Sequence, residues 1–265
     1  GLTLYPLISN NYNGKHQSEI HTPNQELVAQ AEAAEITEAR ELAIAYNESI
    51  VPGVQMADAF SNEALLWASE DYESQLNLTG SGIMGYVEIP GISVTLPIYH
   101  GTDADTLEIG IGHLLGSSLP VGGESTHTIL TAHSGMASQK MFSDLDLMKI
   151  DDVFYLDVLN ERLAYQVDAI FTVLPHETEQ LQIVTGKDYC TLVTCTPFGV
   201  NTHRLLVRGT RIPYEEAEEI LEQQPMIEEP TSTWEEKYMD GIITGICIVL
   251  ILALLAGVVW YIRRK

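Results

Sequence analysis

Cys195 is the residue of this sequence best placed for nucleophilic chemistry. The segment Tyr189–Thr196 predicts a single β-strand, in which side chains alternate between two faces. Cys190 and Cys195 are an odd number of residues apart, so they face opposite sides, and their separation of roughly 16 Å prevents a disulfide bond. Cys195 ends the strand just before Pro197, where a side chain can reach a cleft. Position alone is equally compatible with a buried structural cysteine.

Arg204 is the expected neighbour of Cys195 on the following strand. If residues 197–202 form the connecting loop and Thr196 pairs with His203, then Cys195 pairs with Arg204, with Cβ atoms about 5 Å apart. A neighbouring cation lowers the pKa of a thiol and can bind a carbonyl oxygen that becomes anionic during attack. A surface arginine on a hairpin is the alternative, since a one-residue slip changes the partner.

A nucleophilic cysteine usually needs a general acid and base, and His133 is the favoured histidine. Residues 128–132 read as a buried strand that ends on His133, much as the later strand ends on Cys195. The remaining histidines lack such a placement: His16, His21, His100, His113, His127, His176 and His203.

Short β-prone runs separated by Gly and Pro must position these three residues. The runs are Ile83–Ile89, Ile92–Ile98, Ser125–Ala132, Val153–Val158, Arg162–Val173, Tyr189–Thr196 and His203–Arg211. Several strands without regular helices between them predict an antiparallel barrel or sandwich.

The region before the strands reads as helical. Asn24–Tyr46 carries apolar residues at helical spacing and predicts one amphipathic helix. A second helical stretch, Ser61–Gln75, follows the short segment Met56–Phe60. The sequence begins with Gly1 rather than Met, and we expect that an upstream segment has been removed.

The C-terminal region predicts a transmembrane helix. Gly241–Ile262 contains no charge, and 22 helical residues reach about 33 Å, enough to cross a hydrocarbon core. The basic tail 263–265 predicts a cytoplasmic C-terminus and an extracellular domain before Asp240. Ten acids between Glu215 and Asp240 predict a solvated helix or an extended spacer.

Composition excludes several classes of function. The chain has 265 residues, with 13 Lys+Arg against 37 Asp+Glu and a net charge of −24, which argues against nucleic-acid binding. Three cysteines cannot build a disulfide framework. We expect no cofactor, because no phosphate-binding glycine motif is present, and no metal, because acids this abundant make small clusters expected by chance.

Several motifs resemble the sortases, the membrane-anchored cysteine transpeptidases of Gram-positive cell surfaces. Thr191–Cys195 reads TLVTC and is followed by Asn201–Leu205, similar to the TLxTC signature and its downstream arginine. Thr131–Gly135 resembles the segment of the catalytic histidine. Three further segments read like sortase strands and loops: Ile89–Ile92, Leu96–Gly101 and Met141–Leu145.

Within the family the layout is most similar to class C, the pilin-polymerising sortases. These carry a C-terminal membrane helix and an N-terminal lid whose usual motif is Asp-Pro-aromatic, matched here by Asp58-Ala59-Phe60. Alanine in place of proline leaves the lid backbone less constrained. The resemblance implies that Asp58 pairs with Arg204 and that Phe60 covers Cys195, and we expect this lid to hold weakly because exposed ion pairs contribute little.

The resemblance implies an all-β fold: a closed sortase-type barrel of about eight strands with a helical N-terminal extension. The expected divisions are an extension with lid at 1–79, a catalytic barrel at 80–213, an acidic spacer at 214–240, a transmembrane helix at 241–262 and a cytoplasmic tail at 263–265. It also implies catalytic roles for Cys195, His133 and Arg204, with Asp58, Phe60 and Thr194 as substrate-binding or lid residues.

The function implied is cleavage of an LPxTG-like sorting signal between Thr and Gly through a thioester. In the family's reaction His133 protonates the leaving amine, Arg204 stabilises the oxyanion, and a lysine amine of the next pilin subunit resolves the thioester. The partners are pilins or surface proteins bearing the signal, together with the membrane. Alternatives are a wall-anchoring sortase that uses a peptidoglycan amine, a cysteine hydrolase or peptidase, and a non-enzymatic surface adhesin.

Overall fold

The computed structural model describes residues 23–50, 53, 56–61, 70–134, 139–223 and 234–264. The strands are β1 (Ile83–Ile89), β2 (Val94–His100), β3 (Ile111–His113), β4 (Thr126–Thr131), β5 (Val153–Val158), β6 (Glu161–Val173), β7 (Asp188–Thr196) and β8 (His203–Ile212). The described helices are α1 (23–30), α2 (Ala33–Ser49), α3 (Glu70–Ser74), α4 (Ala104–Ile109), α5 (Tyr214–Gln223) and α6 (Trp234–Arg264).

The eight strands form one closed barrel in the order β1-β2-β3-β4-β7-β8-β6-β5. This confirms the predicted closed barrel of about eight strands. Two neighbouring pairs are parallel, β2 with β3 and β4 with β7, so the expectation of an antiparallel barrel or sandwich was wrong. Parallel neighbours need a crossover connection. Here α4 lies between β2 and β3 in the chain, and the hairpin of β5 and β6 lies between β4 and β7.

Differences from the predicted elements have local causes. Strand β3 was not predicted because it has only three residues. Strand β2 begins at Val94 rather than Ile92, because Pro90–Ile92 forms a 3-10 turn and Ser93 is left-handed with φ 51°. The single helix predicted over 24–46 is interrupted at Glu32, which is extended (ψ 142°) and caps the start of α2 in a capping box. Of the second predicted helix, residues 62–69 lie outside the described part.

The wall formed by β4, β7 and β8 separates two apolar clusters. Alternate residues of these strands fill the barrel interior, among them Leu130, Cys190, Leu192, Leu205 and Val207. Three residues between them point outward, and with residues of other segments they form a second set, called here the outer cluster: Ala59, Leu114, Ile129, Leu181, Val193 and Leu206. Because side chains alternate along a strand, one wall supports both a packed core and an apolar outer groove.

The acidic segment after the barrel begins as a docked helix rather than an extended spacer. Ala217 of α5 is fully buried and packs with Val153, Tyr155, Ala164 and Ile212 of the barrel wall. The acids of α5 include Glu215 and Glu216 in its first turn. Of the two expected alternatives, a helix or an extended spacer, residues 214–223 therefore form the helix.

Helix α6 contains the apolar C-terminal segment. Its stretch Met239–Gly257 has a mean hydropathy of 2.5 and is long and apolar enough to cross a membrane, with no part buried against the rest of the protein. The 31 residues of α6 span about 46 Å, which exceeds a hydrocarbon core of about 30 Å.

Candidate active site

Cys195 lies on the outer face of β7, next to the last residue of the strand. Along β7, Cys190 and Leu192 belong to the interior core and Val193 to the outer cluster, so Cys195 has the outward parity. The Cys195 side chain is 9% exposed, whereas Cys190 is fully buried. The prediction that the two cysteines face opposite sides is confirmed.

Arg204 is the direct cross-strand neighbour of Cys195, in the register predicted from the sequence. Its Nε and Nη2 donate to the two carboxylate oxygens of Asp58, both at 2.8 Å. Its Nη1 donates to the carbonyl oxygens of Asn201 and His203 at 3.3 and 3.1 Å. All three guanidinium nitrogens are therefore engaged, two of them by Asp58.

His133 follows β4 by two residues and reaches the same edge of the barrel as Cys195. Because β4 and β7 are parallel, their carboxyl ends meet. Beyond β4, the Ala132 N–H donates to the Val193 carbonyl at 3.1 Å, and the Ser134 hydroxyl donates to the Cys195 carbonyl at 2.7 Å. These two bonds hold the backbone on both sides of His133 against the strand that carries Cys195.

Thr194 does not present its hydroxyl to the outer groove. Its side chain is 2% exposed and donates to the Ala132 carbonyl at 2.8 Å. It pairs with Leu205, a residue of the interior core. In this structure the hydroxyl holds the residue before His133, and a role of Thr194 in binding substrate or the lid stays a prediction.

Ser134 is a site residue that sequence reasoning missed. The sequence shows only a hydroxyl after a histidine, a signal too common to assign a role. The bond from Ser134 to the Cys195 carbonyl joins two segments 61 positions apart. Only the parallel pairing of β4 and β7 brings these segments together, so a local motif cannot reveal the contact.

The segment 56–60 lies over the groove beside Cys195. Asp58 makes the bidentate pair with Arg204, and the Arg204 guanidinium carbon lies 5.0 Å from the centre of the Phe60 ring. The Phe60 ring is centred 5.6 Å from that of His133. Ala59 is only 2% exposed and belongs to the outer cluster. These contacts fit the predicted lid in a closed position.

The ion pair of the predicted lid is less exposed than the sequence suggested. The Asp58 and Arg204 side chains are only 17% and 12% exposed, so water screens their attraction less than in an exposed pair. The Ser61 N–H donates to the Asp58 carbonyl at 2.9 Å, which closes a turn with Ala59 at its second position. The lid therefore combines an ion pair, a turn and one buried apolar anchor.

Burial sets the protonation of the two candidate catalytic groups. Burial raises the pKa of the Cys195 thiol, Arg204 lowers it and Asp58 raises it. Burial lowers the pKa of His133, and the charge of Glu108 partly opposes that effect. In this arrangement a neutral thiol and a neutral imidazole are favoured near pH 7.

Two other histidines, His113 and His127, are buried and hydrogen-bonded within the barrel wall. His113 Nδ1 lies 2.9 Å from the Tyr72 hydroxyl, and its Nε2 lies 2.9 Å from the Ser118 carbonyl. His127 Nε2 lies 2.7 Å from the Thr191 hydroxyl. Burial lowers the pKa of both histidines to about 4. Both are neutral and fully hydrogen-bonded in the barrel wall, away from the Cys195 thiol.

The cavity beside Cys195 is small. The cavity that adjoins Cys195, Ser134 and Phe198 has a volume of about 20 Å³, room for about one water molecule. Among the described ranges, no group of three or more His, Cys, Asp or Glu side chains is arranged to hold a metal ion.

One protein family matches the part of the chain that contains this site. The family described as Sortase domain matches residues 87–212, which include Cys195, His133 and Arg204. Sortase D of Bacillus subtilis (strain 168) is 30% identical over 136 residues, which cover 48% of this chain and 63% of that protein. The chain therefore matches less than two thirds of the length of this curated relative.

Solved structures extend the likeness beyond the barrel. Sortase C of Streptococcus pneumoniae is 47% identical with a TM-score of 0.68, and the match covers 74% of this chain and 97% of that one. Sortase C1 of Streptococcus agalactiae is 47% identical with a TM-score of 0.66, covering 74% of this chain and 98% of that one. The structure of the pneumococcal protein is described as informative on catalysis and pilin substrate specificity.

Proposed function

The chain belongs to the sortase family, and we propose on that basis that it is a cysteine transpeptidase acting on proteins with an LPxTG-like sorting signal. In this proposal the enzyme cleaves the signal between Thr and Gly and joins the Thr carbonyl to a lysine amine of another pilin subunit. The likeness to class C structures supports the choice of pilins over other surface proteins.

The observation that carries the proposal is the pairing of Cys195 with Arg204 beside the segment of His133. The cross-strand register fixes the first pair, and the Ser134 bond to the Cys195 carbonyl ties in the histidine segment. A nucleophile, a cation and an acid/base group at one strand edge suit acyl transfer.

The proposed reaction begins when the Cys195 sulfur attacks the carbonyl carbon of the Thr–Gly bond. The thiol proton passes to His133, and Arg204 stabilises the negative oxygen of the tetrahedral intermediate. When the C–N bond breaks, His133 returns the proton to the leaving Gly amine and a thioester remains. A lysine amine then attacks the thioester, loses a proton and releases the Cys195 thiol with an isopeptide bond. The thioester conserves the energy of the amide bond, so no nucleotide is required.

The closed lid blocks this reaction in two ways. Asp58 occupies the Arg204 nitrogens that must face the oxyanion, and it opposes ionisation of the Cys195 thiol. Substrate must therefore displace Asp58 before attack, and the apparent affinity falls with the fraction of molecules that are open.

The groove beneath the lid suits the apolar part of the sorting signal. Its floor contains Ile129, Val193 and Leu206 of three adjacent strands, and Leu181 forms part of the outer cluster beside them. Leu and Pro of an LPxTG segment would bury apolar surface against this floor when Ala59 leaves it.

The C-terminal helix supports a membrane anchor for the proposed enzyme. Met239–Gly257 is long and apolar enough to span a bilayer. The basic residues at 263–265 favour a cytoplasmic C-terminus, which puts the barrel outside the cell beside its surface-protein substrates.

The test is incubation of the full chain with an LPxTG peptide and an added lysine peptide, followed by mass spectrometry. We expect a transfer product joined through the lysine side chain and a trapped acyl group on Cys195. Cys195→Ala should form neither, while Cys190→Ala, whose side chain faces the interior, should keep most activity. Cleavage that ignores the added amine would instead identify a hydrolase, and equal losses from both cysteine variants would refute the assignment of the nucleophile.

A further inference from the structure

The hydroxyl of Thr131 is buried without a hydrogen-bond partner among the residues that the structure describes. Thr131 ends β4 and lies two residues before His133; its side chain is fully buried, and Oγ1 contacts no donor or acceptor in that part of the chain. Buried polar groups are nearly always satisfied, because an unmade hydrogen bond forfeits the hydration of the group. An orphaned hydroxyl beside a candidate catalytic residue requires a physical explanation.

Strand parity places Thr131 on the floor of the outer groove. Leu130 belongs to the interior core and Ile129 to the outer cluster, so Thr131 shares the outward face with Ile129. Both outward neighbours lie beside the lid: Ile129 shares a cluster with Ala59, and His133 lies against the Phe60 ring. Thr131 therefore lies in the chain between two residues that neighbour the segment 56–60, on the face that carries Ile129.

Neighbouring strands fix how far Thr131 is from the reacting centre. Thr131 pairs with Val193, which precedes Cys195 by two residues. On its other side Thr131 pairs with Gly112 of β3, whose outer surface is covered by Leu107 and Thr102. Two strand residues at about 3.3 Å each separate Val193 from Cys195, so Thr131 lies roughly 6.6 Å from the level of Cys195, measured along the strand.

The following step rests on the proposed function. If the reacting Thr carbonyl of an extended LPxTG segment lies at Cys195, the residue two positions earlier, the proline, lies at the level of Thr131 and Val193. Proline has no N–H, so the only main-chain polar group it offers is a carbonyl acceptor. A threonine hydroxyl is a donor that can match this acceptor.

We propose that Thr131 is a substrate-binding residue whose hydroxyl donates to the main-chain carbonyl of the proline in the sorting signal. The Thr131 hydroxyl has no partner while the lid is closed and gains one when substrate binds. This hydrogen bond therefore favours replacement of the lid by substrate. Such a hydrogen bond would make the enzyme select against peptides in which the proline carbonyl is a weaker acceptor or is displaced from the Thr131 hydroxyl.

The test uses the full chain in an Asp58→Ala, Phe60→Ala background, so that lid opening does not enter the measured KM. Two peptides are compared: an LPxTG peptide and the same peptide with a thioamide at the proline carbonyl, whose sulfur is a poorer acceptor. Thr131→Val, which replaces the hydroxyl by a methyl group of similar shape, should raise KM for the ordinary peptide about fivefold, with kcat and its pH profile unchanged. The thioamide should raise KM by a similar factor for the parent enzyme and should not raise it further for Thr131→Val. In a double-mutant cycle the two changes are non-additive when they remove the same contact.

Two variants serve as controls. Thr131→Ser keeps the hydroxyl and should keep the preference for the ordinary peptide. Thr128→Val removes a buried hydroxyl of the same strand on the interior face, where it donates to the Leu119 carbonyl, and KM should not change.

Equal thioamide effects in the parent and Thr131→Val would overturn the inference. So would a loss confined to kcat with a displaced pH profile, which would make Thr131 a positioning residue for His133. If the valine variant does not fold, Thr131→Ala gives the same comparison. Absence of turnover of either peptide by the background enzyme would refute the proposed function itself, a result distinct from both of these.

Discussion

Asp58 and Arg204, 146 positions apart in the chain, form a bidentate ion pair in which Nε to Oδ1 and Nη2 to Oδ2 are both 2.8 Å. The same arginine is the cross-strand neighbour of Cys195. The cation that we propose to bind the oxyanion is therefore held by Asp58 in this structure, and the proposed function requires this contact to break before catalysis.

Removal of both lid anchors should expose the thiol. In Asp58→Ala with Phe60→Ala, loss of the charge-assisted pair and of the ring contact should raise the rate of Cys195 modification by a small thiol reagent on the order of tenfold. The rate is measured by mass spectrometry with peptide mapping to exclude Cys190. Asp168→Ala is the matched control, because Asp168 makes a similar bidentate pair with Arg208 away from the thiol. A double variant labelled no faster than the parent would show that 58–60 is not a lid.

Restoration of the family proline at position 59 should tighten the lid. Ala59 occupies the second position of the turn closed by the Ser61 N–H and the Asp58 carbonyl, a position that favours proline. Reduced freedom of the open loop should lower the Cys195 labelling rate about two- to fivefold in Ala59→Pro. Faster labelling at an unchanged melting temperature would mean that the proline ring does not fit beside the outer cluster.

The pH profile of Cys195 labelling should report the lid. Burial raises the thiol pKa in the closed state and Asp58 raises it further, so the thiolate forms only at pH values above the ordinary cysteine range. Removal of Asp58 and Phe60 reduces both effects and should move the labelling profile to lower pH. Subsequent removal of the cation in Arg204→Gln should move it back to higher pH, because Arg204 favours the thiolate. An unchanged profile across the three proteins would contradict the electrostatic account.

Arg204→Lys should be strongly impaired in transfer even without the lid. A lysine ammonium keeps the charge but lacks the planar fork that can reach both the sulfur side and the oxyanion. Loss of an oxyanion donor typically costs 10²- to 10³-fold in kcat, and we expect a loss on the order of at least tenfold here. Arg208→Lys is the matched control, since Arg208 lies on the same strand and faces Thr191 rather than Cys195. Parent-like turnover in Arg204→Lys would show that charge alone is sufficient.

Stability should fall in mild acid because of the buried histidines. The folded-state pKa of His113 is about 4, below the ordinary value of 6.5, so the unfolded chain binds a proton that the folded chain rejects. The contribution of His113 to the free energy of unfolding is complete above pH 6.5 and is lost as the pH falls from 6.5 toward 4. Over this range the free energy of unfolding changes by up to about 1.4 kcal/mol per pH unit. Thermal unfolding followed by near-UV circular dichroism should show a steep decline over this range, flattened in His113→Gln. A variant with the parent's slope would assign the decline to other groups.

Local patterns in the sequence were sufficient for much of the fold. The alternation of apolar and polar residues, with Gly and Pro between the runs, located seven of the strands to within a few residues. This works because the residues of a half-buried strand alternate between its buried and its exposed face. Hairpin neighbours were equally accessible: the pairing of Cys195 with Arg204 follows from a short loop and a fixed register. The uncharged C-terminal segment was recognisable because a membrane span needs length and apolarity alone.

Contacts between distant segments were decided only by the tertiary structure. The parallel pairing of β4 with β7 depends on a crossover that no local pattern encodes, and it alone brings Ser134 to the Cys195 carbonyl. The inward direction of Thr194 and the orphaned hydroxyl of Thr131 follow from which face of the wall closes around the core. The sequence by itself determined which residues are candidates for the chemistry, since residue types and strand parity are local properties. The closed barrel determined which of them meet, because burial and long-range pairing are properties of the whole chain.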